Sequence, residues 1–328
     1  MDLEDYFLDS PDKPGYREYD RRSFNEDFRT SLTDFQRMAY IITIINRVSI
    51  TLYSIIFLLG IIGNGLVIWI AGFRMKKTIS AVWFLHLAIA NFLCCISIPL
   101  HIARWNYNVL LAIVILFYLN MTTSSFLLTA MTVDRWVSVM WPVWAKVHRT
   151  QKLVRITAGV IWVMSLAWIG FMYFLPLSVH STYKLKLIIE LIRFIIFFVI
   201  PFPIIVTSYV TIFLKLRKSN RPQRSQRPYR IITAVILSFF LCWAPYYIWP
   251  LIPLNHGGIL QFQIVDTIIY TLAFFNSCIN PIIYVSMGQD SGQSFLRSIP
   301  LRIESALSEA TDDLCQEQED CGEAHADV

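Results

Sequence analysis

Residues 121–136 read MTTSSFLLTAMTVDRW. The apolar run Val109–Val133 ends there on Asp134-Arg135-Trp136, and an aromatic and basic segment, Trp141–Arg155, follows. A run of that length crosses a bilayer, which takes roughly 20 residues at 1.5 Å of rise each. An arginine at a bilayer boundary is costly to strand, so Arg135 needs a task to be there. Working outward, apolar spans of similar length fall at about 42–71, 80–101, 153–176, 188–214, 230–252 and 264–286, with 109–134 as the third of seven. The pattern predicts an all-α membrane protein, a seven-transmembrane helix bundle.

The charges point the same way. Of 328 residues, 55% are hydrophobic and 16% charged, and the mean hydropathy is +0.52. The 23 acidic residues sit at the two ends: ten in 1–40, nine in 304–328, and only Asp134, Glu190, Asp266 and Asp290 between them. So sparse a middle cannot cover a water-facing surface and must be solvated by lipid. Lysines and arginines in the connections number fourteen on one side, in Arg74–Lys77, Lys146–Arg155 and Lys215–Arg230, against Arg104, Lys184 and Lys186 on the other. The positive-inside rule puts the fourteen in the cytoplasm. The expected organisation is an extracellular acidic tail over 1–41, the bundle over 42–290, a short amphipathic eighth helix over 291–308, and an acidic cytoplasmic tail over 309–328. Phe295, Leu296, Ile299 and Ile303 on one side of the eighth helix suit it to the inner membrane surface. The first forty residues are polar, so no cleavable signal is read and span one is expected to act as an uncleaved anchor.

Other spans carry their own signals: Gly63-Asn64 in the first, Leu87-Ala88-Ile89-Ala90-Asn91 in the second, Trp162 in the fourth, and Pro201 with Tyr209 in the fifth. Cys242-Trp243-Ala244-Pro245 marks the sixth and Asn280-Pro281-Ile282-Ile283-Tyr284 the seventh. Each is weak alone; the ordered set, over about 42–308, resembles the rhodopsin-type (class A) G-protein-coupled receptors. Phe73–Thr78, Val82–Leu85, Met121–Asp134, Trp141–Trp144 and Tyr284–Asp290 resemble the chemoattractant group, which holds the chemerin, complement C5a and formyl peptide receptors. Leu272–Ser277 resembles the neighbouring prostaglandin D2 receptor, so a lipid-mediator receptor is an alternative.

The resemblance implies roles. Arg135 would meet the G protein, pairing with Asp134 at rest and with Tyr209 and Tyr284 once the bundle opens. Trp243 with Phe239 would form the pivot at Pro245, where the missing N–H kinks span six. Asn64, Asn91, Asn120, Ser124, Asn276, Ser277 and Asn280 would line a central polar, watered pocket, since buried amides and hydroxyls need partners in lipid; interhelical glue is the competing reading. Arg193 and Asp266 match ligand-contacting charges of C5a-type receptors, and Tyr118, Tyr246, Tyr247, His101 and Trp105 complete the outer cavity. A local Glu190–Arg193 helix pair is the alternative for Arg193. Tyr6 and Tyr19, beside acids in the tail, resemble sulfation sites that attract basic ligands. Implied partners are an inhibitory-class heterotrimeric G protein, arrestin, membrane lipid and an extracellular peptide or protein chemoattractant; no nucleic acid, cofactor or metal is expected. The implied location is the plasma membrane, multi-pass, with the N-terminus outside.

Three departures stand out. The six cysteines, Cys94, Cys95, Cys242, Cys278, Cys315 and Cys321, leave none for the family's outer disulfide: Leu110 stands near its span-three position, and Leu177–Leu187, a short connection, has none. Asn91 stands where the family has the aspartate that holds sodium, so sodium affinity should fall. Trp136 stands for the usual tyrosine after Asp134-Arg135. The last two changes motivate a non-signalling decoy or scavenger as the rival function. A retinal protein is excluded by the lack of lysine in Gln261–Met287, a transporter by the lack of repeats, and no enzyme motif is found.

Overall fold

The computed structural model describes residues 14–75, 78–103, 107–178, 183–218, 227–252, 258–287 and 299–307. Seven of its helices are long and apolar enough to cross a membrane. Span one is Pro14–Trp69 and runs on through a wide turn, Ile70–Arg74; span two is Ile79–Ala103 and span three Tyr107–Met140. A loop helix, Pro142–His148, leads to span four, Gln151–Ser178. Span five is Tyr183–Phe194, a wide turn Ile195–Val199, and Pro201–Lys218. Span six is Arg227–Ile248 and span seven Ile259–Met287; a short helix follows at 299–307. Contacts group the chain into two units, Met1–Ser49 with Gly257–Thr267, and Ile50–His256 with Ile268–Val328. The second holds the sites described below.

Two helices outrun their expected bounds. Span one starts at Pro14 rather than near 42, and span three continues to Met140, so Arg135 lies inside a helix rather than at its end. Hydropathy reports what lipid accepts, not where helicity stops. Pro14 suits a first helical position, and no proline or glycine interrupts 16–59. The eighth helix is described only over 299–307, where Ile303, Ala306 and Leu307 are buried and Glu304 pairs with Arg74 at 2.9 Å. Its expected start at 291–298, both tail ends, Cys315, Cys321, Tyr6 and Trp105 lie outside the described residues, as does the side chain of Tyr19.

Close approach needs small residues. A Cβ on Gly60 would collide with the Cys95 Sγ, and one on Gly63 would stand 2.7 Å from Pro281 Cβ. These two glycines therefore seat span one against spans two and seven. Several hydroxyls are satisfied within their own helix, as Thr122 donates to the Tyr118 carbonyl (2.9 Å) and Thr132 to that of Leu128 (2.7 Å), which suits burial in lipid. Span five differs. Its wide turn disturbs the carbonyl ladder, and Ser125 of span three donates to the Phe197 carbonyl at 2.6 Å.

Candidate functional site

One aromatic cluster is built around a single cation. Arg193 closes the first segment of span five and is 1% exposed. Its Nη1 donates to the Tyr118 hydroxyl (2.9 Å) and toward that of Tyr246 (3.5 Å), and Tyr246 donates to Tyr118 (3.2 Å). The guanidinium also stands 5.0–5.9 Å from the ring centres of Tyr246, Tyr118 and Tyr247. Glu190, one turn earlier, completes the set as an ion pair. A guanidinium in so dry a place persists only when paired and bonded, and each ring face adds about 0.5–2 kcal/mol. The local pair with Glu190 is thus present, and so is the aromatic cage. Asp266 is exposed on span seven and belongs to the first unit.

From that cage an aromatic chain runs inward. Tyr246 meets Phe117 (5.1 Å) and Trp243 (5.8 Å), Phe117 meets Trp243 (5.3 Å), and Trp243 meets Phe239 (6.3 Å). Trp243 is fully buried, two residues before Pro245 inside span six. On the other flank His101 packs among Tyr53, Tyr270 and Phe274 at 5.4–5.9 Å. His101 is thus an aromatic neighbour rather than a member of the Arg193 cage. Phe117 and Phe274 were not among the expected residues; a phenylalanine in an apolar span carries no sequence signal.

The polar residues fall into sets. Asn120 Nδ2 donates to Asn91 Oδ1 (2.9 Å) and toward Ser124 Oγ (3.4 Å). Asn64 Nδ2 donates to the carbonyls of Ser277 (2.7 Å) and Gly60 (2.8 Å). All are buried, with Asn276 and Asn280. Asn91 Nδ2, Asn120 Oδ1, Asn276 Oδ1 and Asn280 Oδ1 have no protein partner, and buried amides of that kind hold internal water. The fit to sodium is poor: the set has no carboxylate, and the one Asn91 oxygen already accepts from Asn120. Pro281 and Tyr284 are buried beside it, with the Tyr284 ring on Phe84 at 5.4 Å.

At the basic end the expected pair of neighbours gives way to another. Arg149 grips Asp134 with two donors, Nε to Oδ1 (2.7 Å) and Nη2 to Oδ2 (2.6 Å), and Trp83 Nε1 adds a third (3.3 Å). Arg135 is 2% exposed and donates to Ser80 Oγ at 3.2 Å. The reason is geometric. Adjacent side chains on a helix point about 100° apart, whereas the turn led by Pro142 brings Arg149 back over Asp134 with a bidentate fork. Trp136 uses the departure from tyrosine: its Nε1 donates to Thr211 Oγ1 of span five (2.8 Å). Lys215 caps span three by donating to the carbonyls of Val139 (2.5 Å) and Met140 (3.4 Å). Tyr209 is half-buried on span five. Trp162 donates to His86 Nδ1 at 3.2 Å, linking spans four and two.

Seven helices of membrane-crossing length, a buried arginine at the basic end and an aromatic cluster around a second arginine fit a membrane receptor. The chain belongs to the rhodopsin family of seven-transmembrane receptors, whose family model, "7 transmembrane receptor (rhodopsin family)", matches residues 63–284. It falls in the chemoattractant group. The chemerin-like receptor 1 of Sus scrofa is 36% identical over 95% of this chain and 93% of its own, and the Homo sapiens one is 37% identical over 80% of each. The C3a anaphylatoxin chemotactic receptor of Danio rerio is 35% identical over 80% of this chain and 78% of its own. The formyl peptide receptor 2 of Mus musculus is 35% identical over 80% and 85%.

Proposed function

We propose that this receptor binds an extracellular peptide or protein chemoattractant and activates an inhibitory-class heterotrimeric G protein, with arrestin as a further cytoplasmic partner. The carrying observation is the unbroken aromatic chain from the Arg193 cage through Tyr246 and Phe117 to Trp243 and Phe239. A ligand carboxylate that competes with Glu190 for Arg193 would move Tyr246, and through it Trp243 at the proline of span six. Binding then favours the state in which span six swings out, and the shift is limited by the ligand's differential affinity for the two states. Exposed Asp266 is proposed to meet a basic group of the ligand, and buried Arg135 to meet the G protein. The fourteen basic residues support a plasma-membrane orientation with the N-terminal segment outside and 299–307 at the inner surface. Relatives named for a peptide and for an anaphylatoxin support a peptide or protein ligand.

The decoy reading has one observation of its own. Trp136–Thr211 and Lys215–Val139 stitch span three to span five at the end that must open. The deciding experiment is basal inhibition of cAMP production at verified surface levels, beside Arg135→Ala, with and without a toxin that blocks the inhibitory G protein. A toxin-sensitive drop abolished by Arg135→Ala is expected. A surface-expressed protein that binds labelled chemoattractant yet never lowers cAMP would leave the decoy.

A further inference from the structure

The basic end of span five meets span three along one turn of each helix. Trp136 Nε1 donates to Thr211 Oγ1 at 2.8 Å. One turn further along span five, Lys215 Nζ donates to the carbonyls of Val139 (2.5 Å) and Met140 (3.4 Å). Between the two bonds Val139 and Ile212 form a buried contact, with Trp136 packed against them. The Trp136 indole also meets the Trp141 ring at 4.9 Å, edge to face, at the start of the loop helix Pro142–His148. Trp136 is thus shared by three elements, and it is the immediate neighbour of Arg135, which is 2% exposed.

The chemistry of each bond ties it to this arrangement. An indole N–H only donates. The Thr211 hydroxyl spends its proton within its own helix, on the carbonyls of Thr207 (2.9 Å) and Ser208 (2.9 Å). The lone pair it turns to Trp136 is therefore a preset acceptor. Lys215 brings a cation to the end of span three, where the last carbonyls lack donors in their own helix and the helix dipole favours positive charge. Neither bond survives if span five leaves span three. Each is modest in net strength, so the two together bias an equilibrium by on the order of tenfold. That is enough to hold a resting state and too little to lock it.

We propose that Trp136 is the positioning residue of a releasable restraint, which holds span five on span three through Thr211 and Lys215 and keeps basal output low. The output half rests on the signalling reading above; the restraint itself does not. A restraint of this size also separates a quiet receptor from a decoy. A ligand that favours the open state by more than roughly tenfold overcomes it.

The test reads geometry and output on the full chain. Spin labels are placed on Val143→Cys of the loop helix and Leu214→Cys of span five, both exposed positions. Cys315→Ser and Cys321→Ser remove the tail thiols, and the other four are buried. In nanodiscs without G protein, Trp136→Phe and Thr211→Val should each lengthen or broaden the distance distribution. The two together should do no more than either alone, because they remove the same bond. Lys215→Met should act in the same direction. Thr207→Val should change nothing, since that exposed hydroxyl bonds its own helix, at 2.7 Å to the Pro203 carbonyl. In cells, toxin-sensitive basal inhibition of cAMP production should rise several-fold in the restraint variants at equal surface levels. Distances unmoved by Trp136→Phe and Thr211→Val, or effects that simply add, overturn the proposal. So does an unmodified chain that lowers cAMP beside variants that lower it no further. Distances that respond in a chain whose unmodified and variant forms never lower cAMP would sink the signalling reading and leave the restraint standing.

Discussion

Asp134 has two arginines within reach of its sequence neighbourhood, and the fold gives it to Arg149. The side chains of the pair are only 8% and 11% exposed, so the screening that makes surface pairs weak does not apply here. Removing one partner of a buried pair costs about 3–5 kcal/mol, because the other charge is stranded. Arg149→Gln should therefore lower the melting midpoint, and adding Asp134→Asn should recover more than half of the loss. Cys94, Cys95, Cys242 and Cys278 are buried and free, so a thiol-reactive fluorophore reports the melting. Losses that simply add in the double variant would remove the pair as the cause. Asn91 gives a second test at this scale. Its oxygen is taken by Asn120 and carries no net charge, so melting in sodium chloride and in choline chloride at equal ionic strength should coincide. Asn91→Asp should separate the two curves in favour of sodium. Sodium stabilisation of the unmodified chain would contradict the poor fit.

At the scale of elements, helices are held by what they lack as much as by what they carry. Gly63 has Pro281 at 2.7 Å and 2.9 Å from where a Cβ would be, whereas Gly65 has only Phe92 at 3.7 Å. Overpacking a tight contact costs about 1–3 kcal/mol. Gly63→Val should thus lower surface expression and melting midpoint, and Gly65→Ala should leave both near the unmodified values; equal tolerance would show that span one is not wedged at Pro281. The existence of seven helices was readable because apolar length is a local property. Their extents were not, since Pro14–Tyr40 is polar yet helical, and span three continues past its charged residues to Met140. The cage was half readable. An arginine and three tyrosines in apolar spans stand out singly, but no linear spacing brings Tyr118, Arg193 and Tyr246 together. Arg149 could not have been found that way either. Its charge counts toward the positive-inside bias like any loop cation, and only the turn at Pro142 makes it the partner of a residue fifteen positions back.

For the whole molecule, the lack of a cysteine near Leu110 and in 177–187 asks what keeps the Arg193 end in order. A disulfide stabilises chiefly by restricting a loop, and it does more for longer loops. Here only residues 179–182 separate Ser178 of span four from Tyr183 of span five. The family's cross-link would close a loop of about 70 residues, from near Leu110 to 177–187, so its constraint has to be supplied by other contacts. The remaining work, tying span five to its neighbours, falls to Arg193, whose bonds reach Tyr118 of span three and Tyr246 of span six. Geometry made by side chains is indifferent to reductant. Excess dithiothreitol should therefore leave the melting curve, followed by tryptophan fluorescence, where it was. Arg193→Leu should lower it, because the hydroxyls of Tyr118 and Tyr246 lose their charged partner while Glu190 loses its counter-ion. Glu190 is half-buried, so the cost falls below the roughly 3–5 kcal/mol of a fully buried stranded charge, and Arg193→Leu with Glu190→Gln should restore part of it. A midpoint that ignores Arg193→Leu would remove the cage as the brace that ties span five to spans three and six.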